Sequence, residues 1–233
     1  MRLNKFIAQS GYCSRRHADR LIEEGKVEIN GKLQKELGVL IDPDHDEIKV
    51  DGQTLSKPEQ FLYVMMNKPK GYVTTKSDPH AEHTIFSLLP EALQNLHPVG
   101  RLDKNTEGLL ILTNDGSFTY SMTHPGQNCE KVYSARLKKC PLKQEIQRLE
   151  RGIFIEEEVN GKKSFYKTQP CRIEVFPETK KVVIHLKEGR KRQIRKMFQK
   201  IGHPVLYLKR LKMGPYELGE LKTGEWCEIA PAQ

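Results

Sequence analysis

The chain opens with apolar residues at helical spacing. Leu3, Phe6 and Ile7 share one helix face, and Ser10-Gly11 ends that helix. Ser14 is suited to cap a second helix, with Ala18, Leu21 and Ile22 as its apolar face and Gly25 at its C-terminal end. The period then shortens to 2. Val27-Glu-Ile alternates into Asn30-Gly31-Lys32, a tight-hairpin signal, and Ile48 and Val50 precede Asp51-Gly52 in the same way. Asp42-Pro-Asp-His-Asp46 reads as a loop. The segment Ser56-Lys-Pro-Glu-Gln60 has little apolar content and reads as a linker. Residues 1–58 are therefore expected to form a small helix-helix-strand domain, and residues 61–233 a second, larger one.

In the second part strand-like segments dominate. Leu62–Met66 is strand-like and leads into the loop Asn67-Lys-Pro-Lys-Gly71; Tyr72–Thr75 is again rich in β-formers, and Ile85–Leu89 suits a short helix. Val132–Leu137 alternates like a strand, and Lys143–Arg151 puts Ile146 and Leu149 on one helix face. Cys171–Phe176 and Lys181–Leu186 alternate strictly around Pro-Glu-Thr-Lys, which predicts an antiparallel hairpin. Gln193–Ile201 reads as a helix with Ile194, Met197, Phe198 and Ile201 facing inward. The fold class is α+β, with a mostly antiparallel mixed sheet.

One segment joins buried and charged patterns: Gly100-Arg-Leu-Asp-Lys-Asn-Thr-Glu-Gly-Leu-Leu-Ile-Leu-Thr-Asn-Asp-Gly116. Leu109–Leu112 is a short apolar run closed by a turn signal, so it reads as a core strand. Asp103 stands just before it, although burying an unpaired carboxylate is costly. If Gly100–Asp103 is extended, Arg101 and Asp103 project to the same side. A held carboxylate beside a cation suits a nucleophile, or an anchor for one.

Charge narrows the partner. The formal net charge is +9. The window Leu186–Met213 alone holds ten Lys and Arg against the single acid Glu188, which accounts for all of that excess. A focused basic stripe is the footprint of a polyanion. The five cysteines are widely spaced, with no C-x-x-C pair, so reduced and mostly buried thiols are expected rather than a zinc ribbon or disulfide framework. The histidines show no H-x-x-x-H or H-E-x-x-H pattern, and no metal site is expected. No apolar run approaches membrane-spanning length, and the N-terminus lacks a signal-peptide core. The expected location is the cytoplasm.

Four segments of the second part are candidates to converge on one cleft. Asn67–Gly71 offers Lys68 on a Pro/Gly loop, suited to a phosphate. Gly100–Asp103 offers Asp103. Glu130–Tyr133 offers Tyr133, whose ring can stack on a base. Glu188–Arg195 offers Arg195 on the first turn of a basic helix. Singly, each residue has an ordinary structural explanation. Asp103 can be a turn former, Tyr133 cross-strand packing, Lys68 a loop lysine and Arg195 a phosphate contact.

Together they carry a resemblance. Arg2–Lys32, with its Arg-Leu-x-Lys-x-Ile start, Ser-Arg-Arg and Val-x-Ile-Asn-Gly-Lys end, resembles the S4 RNA-binding domain. The long Asp103 motif, Lys68-Pro-Lys-Gly71, Glu130-Lys-Val-Tyr133 and Glu188-Gly-Arg-Lys-Arg-Gln-Ile-Arg195 resemble the blocks of the RsuA family of bacterial ribosomal RNA pseudouridine synthases. The resemblance covers nearly the whole chain. It implies an isomerase that needs no cofactor or metal and acts on a flipped uridine. It implies Asp103 as catalytic aspartate, Tyr133 stacked on the uracil, Arg195 paired with Asp103, Ile194 near the base, and Arg101 filling the vacated stack. Lys68 joins Arg101 and Ile194 as an expected substrate contact. The expected RNA contacts are Arg2, Lys5, Arg15, Arg16, Arg20 and Lys32 in the first domain, and Arg190, Lys191, Arg192 and Lys196 in the second.

Asp103 can act as a nucleophile at the base or at the ribose C1′, or help form a glycal; these routes stay open. Arg192-Gln-Ile-Arg195 is closer to members acting on the large subunit, so 23S RNA is favoured over 16S, in free or partly assembled subunits, with the protein a monomer away from membranes. A non-catalytic RNA-binding protein is the competing reading. It has no need of an acid at position 103, which would repel phosphate. A two-metal nuclease would need clustered carboxylates.

Overall fold

Turn chemistry and helix caps set the first part of the chain. The computed structural model describes residues 1–233 apart from Glu59, Ser77, His80, Asn160 and Gln233, so the expected linker lies partly outside the described residues. Helices α1 (Leu3–Gln9) and α2 (Arg15–Glu23) form at the predicted spacing, and the Ser14 hydroxyl accepts the His17 N–H at 3.3 Å. Strands β1 (Val27–Ile29), β2 (Lys32–Gln34), β3 (Ile48–Val50) and β4 (Gln53–Leu55) pair antiparallel in the order β2-β1-β3-β4. Both hairpin turns put two residues at positive φ, Asn30-Gly31 (51° and 75°) and Asp51-Gly52 (48° and 79°), as a tight turn joining right-twisted strands requires. The helix faces close over Val27, Ile48 and Val50 to make one small core.

The chain divides into two compact units, Met1–Leu62 with Asn114–Gly116, and Tyr63–Thr113 with Ser117–Gln233. After β4 follow β5 (Tyr63–Lys68), β6 (His97–Pro98), β7 (Glu107–Thr113), α3 (Gly116–Thr123), β8 (Lys131–Leu137) and α4 (Lys143–Glu150). They are succeeded by β9 (Phe154–Val159), β10 (Lys162–Lys167), β11 (Arg172–Phe176), β12 (Lys181–Leu186), α5 (Gln193–Lys200), β13 (Val205–Met213), β14 (Tyr216–Glu217) and β15 (Trp226–Glu228). A nine-stranded sheet runs β11-β12-β8-β13-β7-β5-β15, with β14 on β13 and β6 on β7. Among the described residues its one parallel strand pairing is β13 with β7 and the rest are antiparallel, which gives the expected mixed α+β architecture. One core joins Ala135, Leu137, Val182, Ile184 and Leu208 of the sheet to Ile146 and Leu149 of α4 and Ile194, Met197 and Phe198 of α5.

Several expectations are corrected. β5 continues through Asn67 and Lys68, which the Pro/Gly signal had put in a loop. Tyr72–Thr75 is not a strand. Val73 alone bridges Thr84, its N–H going to the His83 carbonyl and its carbonyl to Ile85 N–H. The β9–β10 hairpin and β13 were missed: three consecutive glutamates in β9 obscure the strand although Asn160-Gly161 follows it in the sequence, and β13 carries Lys209 and Lys212 at positions the sheet half-buries. The five cysteines are free, as expected, but half-buried rather than mostly buried.

Candidate active site

The Asp103 segment is pinned by its carbonyl groups. Arg101 is exposed, Leu102 buried and Asp103 half-buried, the alternation of an extended stretch. The Thr74 hydroxyl donates to the Leu102 carbonyl at 2.9 Å and lies 3.3 Å from its N–H. Thr106 N–H closes the following turn on the Asp103 carbonyl at 3.0 Å, and Gly71 N–H takes the Lys104 carbonyl at 2.8 Å. The Lys68 ammonium donates to Thr106 and Pro69 carbonyls at 2.9 Å each, and reaches Lys104 at 3.5 Å. Arg195, from α5, donates to the Asn105 carbonyl at 2.6 Å and the Val205 carbonyl at 3.1 Å. The carbonyls of residues 102 through 106 are thus each held, by groups from β5, the 71–74 stretch, α5 and the turn itself. Among the described residues, the Asp103 carboxylate takes part in no hydrogen bond or ion pair.

Two expected roles change. Lys68 is fully buried at the end of β5, spent on backbone carbonyls, so it is not a phosphate contact. Burial pushes its ammonium down to about 8, against the charges of Glu107 and Asp103, which hold it up. Arg195 makes no ion pair with Asp103 among the described residues; its guanidinium grips the loop backbone instead. Burial lowers its pKa, the neighbouring Arg192 lowers it further, and the charge of Asp103 opposes both. Lys68, Asp103 and Arg195 do meet in one place, but the two cations hold the loop that presents the acid.

Tyr133 is half-buried on β8, packed in the same core as Ile194, which is 4% exposed. Arg210 of β13 stands in register with Tyr133 on one side and Gly108 of β7 on the other. Two strand spacings, roughly 10 Å, therefore separate Tyr133 from the strand that leaves the Asp103 loop. Gly108 explains part of the motif. Its φ is +104°, and a Cβ there would run into the Arg210 backbone, so only glycine lets β7 and β13 approach in parallel. Arg210 itself is buried and donates through Nε to the Leu109 carbonyl at 2.7 Å. Sequence reading missed Thr74, Gly108 and Arg210. The Thr-Glu-Gly before a buried run was the available hint for the glycine.

Of the expected RNA contacts, Arg2, Arg15, Arg16, Arg20 and Lys32 are exposed and Lys5 is half-buried, all in the first unit. In the second, Lys191 and Arg192 are exposed. Arg190 pairs with Glu157 at 3.5 Å and stacks on Tyr166, and Lys196 donates to the Glu156 carbonyl at 2.7 Å.

Comparison with known proteins decides the family. The RNA pseudouridylate synthase model matches residues 62–200, and the S4 domain model residues 1–48. The chain belongs to the RNA pseudouridylate synthase family. These are isomerases, and the resemblance read from the Asp103 motif and its companion blocks holds for both parts of the chain. A relative in Bacillus subtilis, "Ribosomal large subunit pseudouridine synthase B", is 39% identical over 230 residues, covering 99% of this chain and 92% of its own. An RNA pseudouridine synthase of Aquifex aeolicus is 38% identical over 232 residues, covering 98% and 90%. Among solved structures, a pseudouridylate synthase shares 33% identity with a TM-score of 0.69, over 99% of this chain and 96% of that one.

Proposed function

We propose that this synthase converts one uridine of ribosomal RNA to pseudouridine, with the Asp103 carboxylate acting on a nucleotide flipped from its stack. The observation that carries the reading is the loop itself. Its backbone is fixed from several elements, while among the described residues its one acid has no hydrogen-bond or ion-pair partner. A rigidly held reacting group avoids the entropic cost of orienting it in the transition state. Unstacking the uridine costs a few kcal/mol, offset by a pocket and by stacking on Tyr133. Arg101, exposed beside Asp103, fills the gap left in the helix. Asp103 attacks the ring or the ribose C1′, or promotes a glycal. In each case the C1′–N1 bond breaks, the uracil turns, and a C5–C1′ bond forms. C5 gives up its proton and N1 gains one, so atoms and electrons balance without redox chemistry, a co-substrate or a metal.

Large-subunit RNA is the favoured substrate. The relative named for that subunit and the Arg192–Arg195 sequence both support it. In this reading residues 1–58 serve as an RNA-holding module and residues 61–233 as the catalytic one. The protein works in the cytoplasm as a monomer, on free or partly assembled subunits. Pseudouridine mapping of ribosomal RNA from a strain lacking the gene tests this. The reading expects one large-subunit uridine to stay unmodified and to be restored by the intact gene. A complete set of pseudouridines in the deletion strain would overturn it.

A further inference from the structure

Glu188 is the one acid in the basic window, and the fold buries it to 8% exposure. Among the described residues it has no ion-pair partner. It accepts instead from the Tyr166 hydroxyl at 2.7 Å, the Gln169 N–H at 2.8 Å and the Gln193 side-chain amide at 2.6 Å. Gln193 is itself buried, and its carbonyl oxygen accepts the Arg190 N–H at 3.0 Å. These bonds bracket a strained point. Arg192, which caps α5, sits at φ 55° and ψ 30°, a left-handed conformation that a side-chain-bearing residue keeps only when its surroundings impose it. The next residues are Gln193, Ile194 and Arg195, and Arg195 grips the Asn105 carbonyl two residues beyond Asp103. On the outer side, the Arg190 guanidinium lies 3.8 Å over the Tyr166 ring.

We propose that Glu188 and Gln193 are positioning residues for the isomerisation. The buried carboxylate fixes the first turn of α5 through Gln193, and that turn aims Arg195 at the loop carrying Asp103. This rests on the proposed role of Asp103. An acceptor is needed at 188 because Gln169 and Gln193 both donate to Oε1 and Tyr166 donates to Oε2; a glutamine can keep its oxygen on the two amides and give its N–H to the Tyr166 oxygen, which also accepts, whereas an apolar side chain leaves all three donors without a partner. A glutamine is needed at 193 because it must donate to Glu188 and accept from Arg190 together.

The test uses the full-length protein and uridine-tritiated ribosomal RNA, with the folded fraction of each variant measured by circular dichroism. Gln193→Glu sets a carboxylate against Glu188. It should lower kcat at least tenfold with KM within about twofold of wild type. Glu188→Leu, which removes the acceptor, should do the same. The double exchange Glu188→Gln with Gln193→Glu restores a donor-acceptor pair, and should recover most of kcat; Gln169 N–H still loses its acceptor, so recovery is incomplete. Tyr166→Phe, which removes one donor, should cost less than either single change. A network that only stabilises the fold would lower activity in proportion to the folded fraction lost. That pattern, or unchanged kcat in folded single variants, or no recovery in the exchange, would overturn the positioning role. Asp103→Asn, run in parallel, separates the two claims: if it is inactive, the positioning role stands or falls on the 188 and 193 variants alone, and if it is fully active, the reading beneath both is wrong.

Discussion

Lys68 contributes to the site without facing substrate. An ammonium in the interior is tolerated because carbonyl oxygens surround it, and those carbonyls belong to the loop behind Asp103. Its folded pKa is near 8, below the ordinary lysine value of 10.5. Between those values the unfolded chain binds a proton that the folded chain does not. Lys68 therefore destabilises the fold most below pH 8, and its effect on stability becomes more favourable as pH rises toward 10.5, by roughly 3 kcal/mol at most. Urea unfolding of wild type and Lys68→Met across that range should show the difference between them shifting toward wild type with rising pH; a flat difference would contradict the account. Lys68→Met should also release the loop and lower kcat more than it raises KM. Gly108→Ala carries a second residue-scale prediction. The Cβ meets the Arg210 backbone at a φ that alanine avoids, so a loss of about 2–4 kcal/mol is expected in chemical unfolding. A loss under about 0.5 kcal/mol would show that β7 and β13 can separate without cost.

At the scale of elements, what the sequence disclosed was local. The Asn30-Gly31 and Asp51-Gly52 turns and the Ser14 cap need only their own backbone chemistry, and each was readable. So was β7, since an apolar run between turn signals has few other fates. β13 was not, although it lies at the centre of the sheet. Lys209 and Lys212 interrupt its alternation, and only the pairing with β7 and β8 shows that this stretch is a strand. Lys68 misled for a related reason. A lysine before Pro-Lys-Gly looks like a loop residue until carbonyls more than thirty residues away close around it. Arg195 was placed correctly on α5, but its partner was the loop's backbone rather than the acid's side chain. Residue types showed which groups would gather; they could not show which atoms would meet.

For the whole molecule, affinity and chemistry are expected to separate. Arg15, Arg16 and Arg20 are exposed on α2, remote in sequence from the Asp103 motif. Replacing all three with glutamine should raise the Kd for ribosomal RNA and reduce the slope of log affinity against log salt by up to about 2. It should leave kcat at saturating RNA and the thermal midpoint near wild type. An unchanged salt slope would remove these arginines from the RNA-binding surface. The central claim concerns Asp103, and tritium release from 5-tritiated uridine in ribosomal RNA measures it most directly. Asp103→Asn preserves size and leaves the clamped carbonyls of the loop intact, so the variant should fold with an unchanged thermal midpoint, bind RNA with wild-type affinity, and release no tritium above background. Tritium release by the folded variant at the wild-type rate would contradict the account.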